Sequence, residues 1–79
     1  MSKGDEFRKK YSADLRAYIK HPQYASDRRW RETWIEHYAK ENMKQIKEYM
    51  TPFSTTLEQV VERVRYDIGK EQSLMKRNL

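Results

Sequence analysis

The fold is decided by residues 26–50, SDRRWRETWIEHYAKENMKQIKEYM, which contain neither glycine nor proline. We expect the Ser26 hydroxyl to cap free N–H groups, while Asp27 adds negative charge at the positive end of the helix dipole. The stretch ends before Thr51-Pro52, because proline cannot donate a helical hydrogen bond and disfavours helical angles in the residue before it. The pattern therefore predicts one helix over 26–50, about 36 Å long at 1.5 Å per residue.

The apolar residues of this helix form two stripes. Trp30, Trp34 and Tyr38 advance by four residues and make an aromatic stripe. A second stripe lies about 100° around the helix axis. It consists of Ile35, Ala39, Met43, Ile46 and Met50. An apolar arc this wide is typical of a helix covered by two neighbours. The alternative is that part of the aromatic stripe stays exposed and receives a partner.

The segment before residue 26 predicts a first helix over 5–20. Asp5 is the expected N-cap, and Pro22 ends the helix. The apolar positions recur with the period of one helix face. They are Phe7, Tyr11, Leu15, Tyr18 and Ile19.

The segment after Pro52 predicts a third helix that begins near residue 55. Thr55 and Glu58 have the spacing of a capping box, in which each side chain accepts a hydrogen bond from the other residue's backbone N–H. One apolar face follows, formed by Leu57, Val60, Val61, Val64 and Ile68. The helix ends either at Gly69, in a left-handed turn, or near residue 75, since glycine costs only about 1 kcal/mol inside a helix.

Together these segments predict a single all-α domain, a small three-helix bundle with a long central helix. The helices are expected at about 5–20, 26–50 and 55–68 or 55–75, with frayed ends. A chain of 79 residues forms one domain at most, and its ten aromatic residues argue against disorder. The predicted core is Phe7, Tyr11, Leu15, Tyr18, Trp34, Tyr38, Ile46, Leu57, Val60, Val61, Val64 and Ile68.

The net charge of +5 is unevenly distributed. Residues 1–31 carry nine Lys or Arg and four Asp or Glu, whereas residues 32–79 carry eight of each kind. Several cations are expected to gather where the first two helices meet, even though arginine in the first turns of a helix opposes its dipole. These residues are Lys20, His21, Arg28, Arg29 and Arg31. The pattern indicates an anionic partner, and the alternative is that the charge only keeps a small domain in solution.

Signals of catalysis are almost absent. The chain has no cysteine, and its two glycines form no phosphate-binding loop. His37 and Glu41 stand one helical turn apart, but two ligands do not make a metal site. We therefore predict a protein that is not an enzyme and that has no metal or cofactor. No signal peptide or membrane span is present, so a nuclear or cytoplasmic location is expected.

The leading functional hypothesis is a non-enzymatic protein–protein interaction module from a larger regulatory or RNA-associated assembly. Its partner would be a protein or peptide, acidic or helical, that contacts Trp30, Tyr49 and Met50. Self-association into a homodimer is a variant of this hypothesis, because a small core gains stability by pairing. The alternative is an RNA- or DNA-binding domain that uses the cations at the junction of the first two helices.

Overall fold

The structure, a computed structural model, describes residues 2–77 as three α-helices. Helix α1 spans Lys3–Lys20, α2 spans Arg28–Tyr49 and α3 spans Leu57–Arg77. The predicted all-α three-helix bundle is confirmed. The middle helix is hardly longer than its successor, however, with 22 residues against 21, because α3 continues far beyond the shorter of its two predicted ends.

The helices run up, down and up. Phe7 near the start of α1 contacts Tyr49 at the end of α2, so these two helices are antiparallel. Arg16 near the end of α1 pairs with Glu71 near the end of α3, so α1 and α3 are parallel. The end of α1, the start of α2 and the end of α3 therefore share one end of the bundle.

The first two helices begin at caps other than the predicted ones. The Ser2 hydroxyl accepts a hydrogen bond from the backbone N–H of Asp5 at 3.2 Å, so Asp5 lies inside the first turn of α1. A carboxylate oxygen of Asp27 accepts from the N–H of Trp30 at 2.9 Å, so Asp27 caps α2 in place of Ser26. Ser26 stays in the connecting turn, because its own N–H donates back to the carbonyl of Gln23.

Helix α3 begins with a capping box one residue later than predicted. The Thr56 hydroxyl accepts from the N–H of Gln59, and the Gln59 side-chain oxygen accepts from the N–H of Thr56, both at 3.2 Å. Thr55 uses its N–H for the same Gln59 oxygen at 2.6 Å. The pair is therefore Thr56 with Gln59 instead of Thr55 with Glu58. Glutamine serves this motif as well as glutamate does.

Gly69 does not end α3. Its φ is not positive, so the left-handed turn is not formed. A Cβ built at this position meets no atom within 4 Å, which shows that an ordinary helical residue has room there. Of the two predicted ends, the later one near residue 75 is the better description, and the helix reaches Arg77. Residues 78 and 79, predicted to be frayed, lie outside the described residues, as does Met1.

The core forms where α3 packs closely on both other helices, while α1 and α2 approach each other less closely. Trp34, Leu57 and Val61 were predicted in the core but are half-buried, and Ile35 and Ala39 are buried instead. The reason is that α2 turns its aliphatic stripe toward α3 and places its aromatic stripe in the wider gap beside α1. The buried apolar residues are Phe7, Tyr11, Leu15, Tyr18, Ile35, Tyr38, Ala39, Ile46, Val60, Val64 and Ile68.

Candidate functional site

A continuous row of aromatic rings fills the gap between α1 and α2. Neighbouring ring centroids lie between 4.1 and 6.2 Å apart. In order, the rings belong to His21, Trp30, Tyr18, Trp34, Tyr38, Tyr11, Phe7 and Tyr49. Part of this row forms the floor of an open groove of about 430 Å³, whose rim carries Lys10, Asp14 and Glu41. Two alternatives were predicted for the aromatic stripe of α2, burial under neighbouring helices or exposure to a partner. The stripe is covered mainly by other rings of the same chain.

Each of the two indoles is stacked against two other rings. Trp30 stacks on His21 at 4.3 Å and on Tyr18 at 5.4 Å. Trp34 stacks on Tyr18 at 4.1 Å and on Tyr38 at 4.8 Å. His21 and Tyr18 belong to the end of α1, whereas Tyr38 belongs to α2, so Trp34 is covered both by the neighbouring helix and by its own. Part of the flat indole surface that a base would need for stacking is therefore already covered by other rings of the same chain.

Two tyrosines of this row, Tyr18 and Tyr38, have raised pKa values. Burial raises the pKa of Tyr18 to about 12. Burial also raises the pKa of Tyr38, and its hydrogen bond of 2.7 Å to a carboxylate oxygen of Asp14 adds to the effect. These phenols are therefore neutral hydrogen-bond donors at physiological pH, and their role in the groove is structural.

The three residues expected to contact an apolar partner are all half-buried and pack against the core. Trp30 lies in the aromatic row, and Tyr49 packs on Phe7 with ring centroids 5.8 Å apart. Met50 follows the last residue of α2, and its backbone N–H donates to the carbonyl of Ile46. These residues contribute only part of their surface to solvent.

The five cations predicted at the junction of α1 and α2 separate into two groups. Lys20, Arg28 and Arg29 are exposed. The His21 ring stacks on Trp30, and its Nδ1 accepts a hydrogen bond from the backbone N–H of Gln23 at 3.1 Å. His21 is thus held in place by the fold, although its surface remains exposed.

Arg31 also has a structural role. Its guanidinium donates to the backbone carbonyl of Tyr24 and lies 5.7 Å from the centre of the Tyr24 ring. Tyr24 in turn accepts a hydrogen bond from Gln72 of α3. Arg31 therefore connects the α1–α2 turn to the start of α2, and its side chain is half-buried. Its guanidinium is therefore engaged within the protein and is not free to bind an anionic partner.

Two cations that the sequence analysis left in a frayed tail belong to the same end of the bundle. Lys76 and Arg77 occupy the last turn of α3, where positive charge suits the helix dipole, and both are exposed. Because α3 runs parallel to α1, its last turn lies at the end of the bundle that also carries Lys20 and Arg28. The apolar pair Leu74-Met75 was the signal that the helix reaches this far.

We call this set the basic end, defined as the exposed residues Lys20, Arg28, Arg29, Lys76 and Arg77. None of the five forms an ion pair with another residue of the described range 2–77. Other exposed lysines, such as Lys3 and Lys44, lie outside this end, so the basic end accounts for part of the positive charge of the chain.

Elsewhere the exposed large apolar side chains are dispersed. Phe53 in the α2–α3 connection is 91% exposed, Tyr66 lies on the outer face of α3, and Leu74 stands one turn before its end. Sequence analysis did not single out these three residues. Among the residues that the structure describes, Leu74 is the member of this group near the basic end, and Phe53 is at the opposite end of the bundle.

Within residues 2–77 no three His, Cys, Asp or Glu side chains come together in a way that could hold a metal ion. His37 and Glu41 form an exposed pair at 3.0 Å, as expected for a solvated surface contact. No described helix is both long enough and apolar enough to cross a membrane. Comparison of the chain with protein-family models, with curated proteins and with solved structures gives no match.

Proposed function

We propose that this protein is a non-enzymatic binding module that holds an anionic macromolecule at its basic end. The single observation that carries the proposal is the pair Arg28 and Arg29. Both occupy the first turn of α2, which contains no acidic residue, and positive charge there opposes the helix dipole at a cost of about 0.3–1 kcal/mol per residue. A local conflict with no structural gain is typical of a functional site.

The carboxylate that would normally neutralise these arginines is engaged elsewhere. Glu32 lies three and four residues after them, at the spacing of helical ion pairs. It pairs instead with Arg65 of α3, which donates through both terminal nitrogens of its guanidinium. This pairing holds the pKa of Glu32 below its usual value. The charge of Arg28 also lowers the pKa of Glu32, but neither Arg28 nor Arg29 forms an ion pair with it.

An apolar contact surface at Trp30, Tyr49 and Met50 has weaker support. Their packing against the core removes much of the surface that a partner could bury, whereas protein interfaces rely on buried aromatic and apolar anchors. Acidic proteins and nucleic acids both carry the charge that the basic end would recognise, and a module of this kind suits a larger regulatory or RNA-associated assembly.

The proposal is tested by retention on immobilised heparin, a general polyanion. The variant Arg28→Glu/Arg29→Glu should elute at clearly lower salt than the parent. Its matched control is Lys3→Glu/Lys44→Glu, which changes the net charge by the same amount at exposed positions near the other end of the bundle. The control should elute close to the parent, because electrostatic attraction depends on which cations face the polyanion.

Folding is checked by circular dichroism, and both variants should keep the helical content of the parent. Glutamate in the first turn of α2 suits the dipole but is repelled by Glu32 one turn later, so the arginine variant should melt close to the parent. Equal losses of retention in the two variants would show that heparin senses only net charge, and this would overturn the assignment of the site.

A further inference from the structure

Resting on the proposed function, we infer that the partner is a nucleic-acid duplex, held by its phosphate backbone without stacking on its bases. The basic end would form an interaction surface that recognises phosphates and does not read sequence.

The composition of the basic end suits phosphates better than it suits an acidic protein. Specific protein interfaces bury aromatic and apolar anchors at their centre. At this end the large rings of Tyr18, Trp30 and Trp34 are stacked on one another, and Leu74 is the nearest of the exposed large apolar residues. Five exposed cations at one end of the bundle resemble the contacts that proteins make with phosphates and sugars.

The stacked rings also decide between duplex and single strand. Proteins that hold single strands without sequence preference stack successive bases on exposed aromatic faces. Trp30 stacks on His21 and Tyr18, and Trp34 stacks on Tyr18 and Tyr38. Because other rings already cover part of each indole, a single strand gains little stacking at this surface. The higher charge density of a duplex should then make it bind more tightly than a single strand.

The cations are fixed on three helix ends. Lys20 closes α1, Arg28 and Arg29 open α2, and Lys76 and Arg77 close α3. Helical backbone holds each Cα in place, so the five side chains extend from fixed points at one end of the bundle. Arginine adds a planar set of donors that can bind one phosphate through two hydrogen bonds. Cations from three helices can thus contact several phosphates at once.

The experiment measures fluorescence anisotropy of labelled probes with the whole chain. The probes are an A·T-rich duplex DNA, a G·C-rich duplex of equal length, a single strand of that length and poly-glutamate. Five phosphate contacts predict a slope of about −4.5 in log affinity against log salt, which is a loss of about 500-fold between 50 and 200 mM salt. Both duplexes should bind alike and more tightly than the single strand or poly-glutamate.

The variants then assign the contacts. With two contacts removed, Arg28→Glu/Arg29→Glu should have a slope of about −2.7 and a loss of about 40-fold over the same salt range. The control Lys3→Glu/Lys44→Glu should keep the slope of the parent. An unchanged slope in the arginine variant, tighter binding of the single strand, or poly-glutamate binding as tight as duplex would each overturn the inference.

Failure of the inference is distinguishable from failure of the proposed function. If the arginine variant loses heparin retention but poly-glutamate binds as tightly as duplex, the basic end is an anion-binding site for an acidic protein segment. If the arginine variant loses no more heparin retention than its control, the proposed function itself is wrong.

Discussion

The phenol of Tyr11 donates a 2.6 Å hydrogen bond to Oδ2 of Asp67 and thereby fixes α1 against α3 through a buried polar contact. Tyr11 is 3% exposed and Asp67 is 6% exposed. Arg63, one turn before Asp67, donates to the same oxygen at 2.8 Å. Burial raises the pKa of Tyr11, and the bond to the carboxylate raises it further, so the phenol remains a donor. The two donors are what allow a carboxylate to be buried here.

The first prediction concerns this contact. Tyr11→Phe keeps the ring but removes the donor, so the free energy of unfolding should fall by about 1.5–3 kcal/mol, as expected for a hydrogen bond to a charged group. The matched control is Tyr66→Phe, at an exposed tyrosine of α3, which should change stability by less than about 0.5 kcal/mol. Urea titrations measure both. Equal stability of the two variants would mean that the Tyr11–Asp67 bond contributes nothing.

The second prediction locates the start of α3. Thr56→Ala removes the hydroxyl that accepts from the N–H of Gln59 and should lower the free energy of unfolding by about 1 kcal/mol. Thr55→Ala, the substitution that the sequence alone suggests, removes only an exposed contact to the side chain of Gln59 and should cost less than about 0.5 kcal/mol. A larger effect at Thr55 in thermal melts would place the helix start one residue earlier.

The third prediction concerns Gly69. Gly69→Ala should raise the free energy of unfolding by about 0.5–1 kcal/mol, because the position is helical and has room for a Cβ. Gly4 provides the comparison, since a Cβ there would lie 3.3 Å from Cδ1 of Tyr49, and Gly4→Ala should gain less. Chemical denaturation measures both changes. A destabilised Gly69→Ala would restore the interpretation that α3 ends in a left-handed turn.

The fourth prediction concerns the stability of the fold at low pH. Burial alone would raise the pKa of Glu71, but hydrogen bonds from Arg16 and Ser12 outweigh it and hold the pKa below the usual 4.5. A carboxylate with a lowered pKa in the folded state stabilises the fold above pH 4.5. That stability is lost as the pH falls through the lowered value. Thermal melts of the parent should therefore fall more steeply below pH 4.5 than those of Glu71→Gln.

The control for the acid prediction is Glu48→Gln, at an exposed glutamate with no ion pair to another residue of the described range 2–77. It should follow the parent curve over the whole acid range. If Glu71→Gln also follows the parent curve, the contact of Glu71 with Arg16 does not stabilise the fold.

The basic end could be predicted only in part. The charge asymmetry indicated an anionic site at the α1–α2 junction, and Lys20, Arg28 and Arg29 are exposed there as expected. Arg31 lies one residue beyond the first turn, and nothing in its identity signals that it folds back on Tyr24. Lys76 and Arg77 were missed, because their position depends on whether Gly69 ends the helix, and helix propensity alone leaves that open.

The sequence by itself determined the helices, because the spacing of apolar residues and the prolines at 22 and 52 act through local backbone geometry. Only the tertiary structure decided which stripe of α2 faces which neighbour. Ile35 and Ala39 are buried where α2 faces α3, while Trp30 and Trp34 fill the wider gap beside α1. The orientation of α2 depends on how side-chain volumes fit between three helices. This is a nonlocal property, and it cannot be derived from the spacing of apolar residues along one helix. The same packing brings Tyr11 to Asp67 and gathers the charges of three separate helix ends at the basic end.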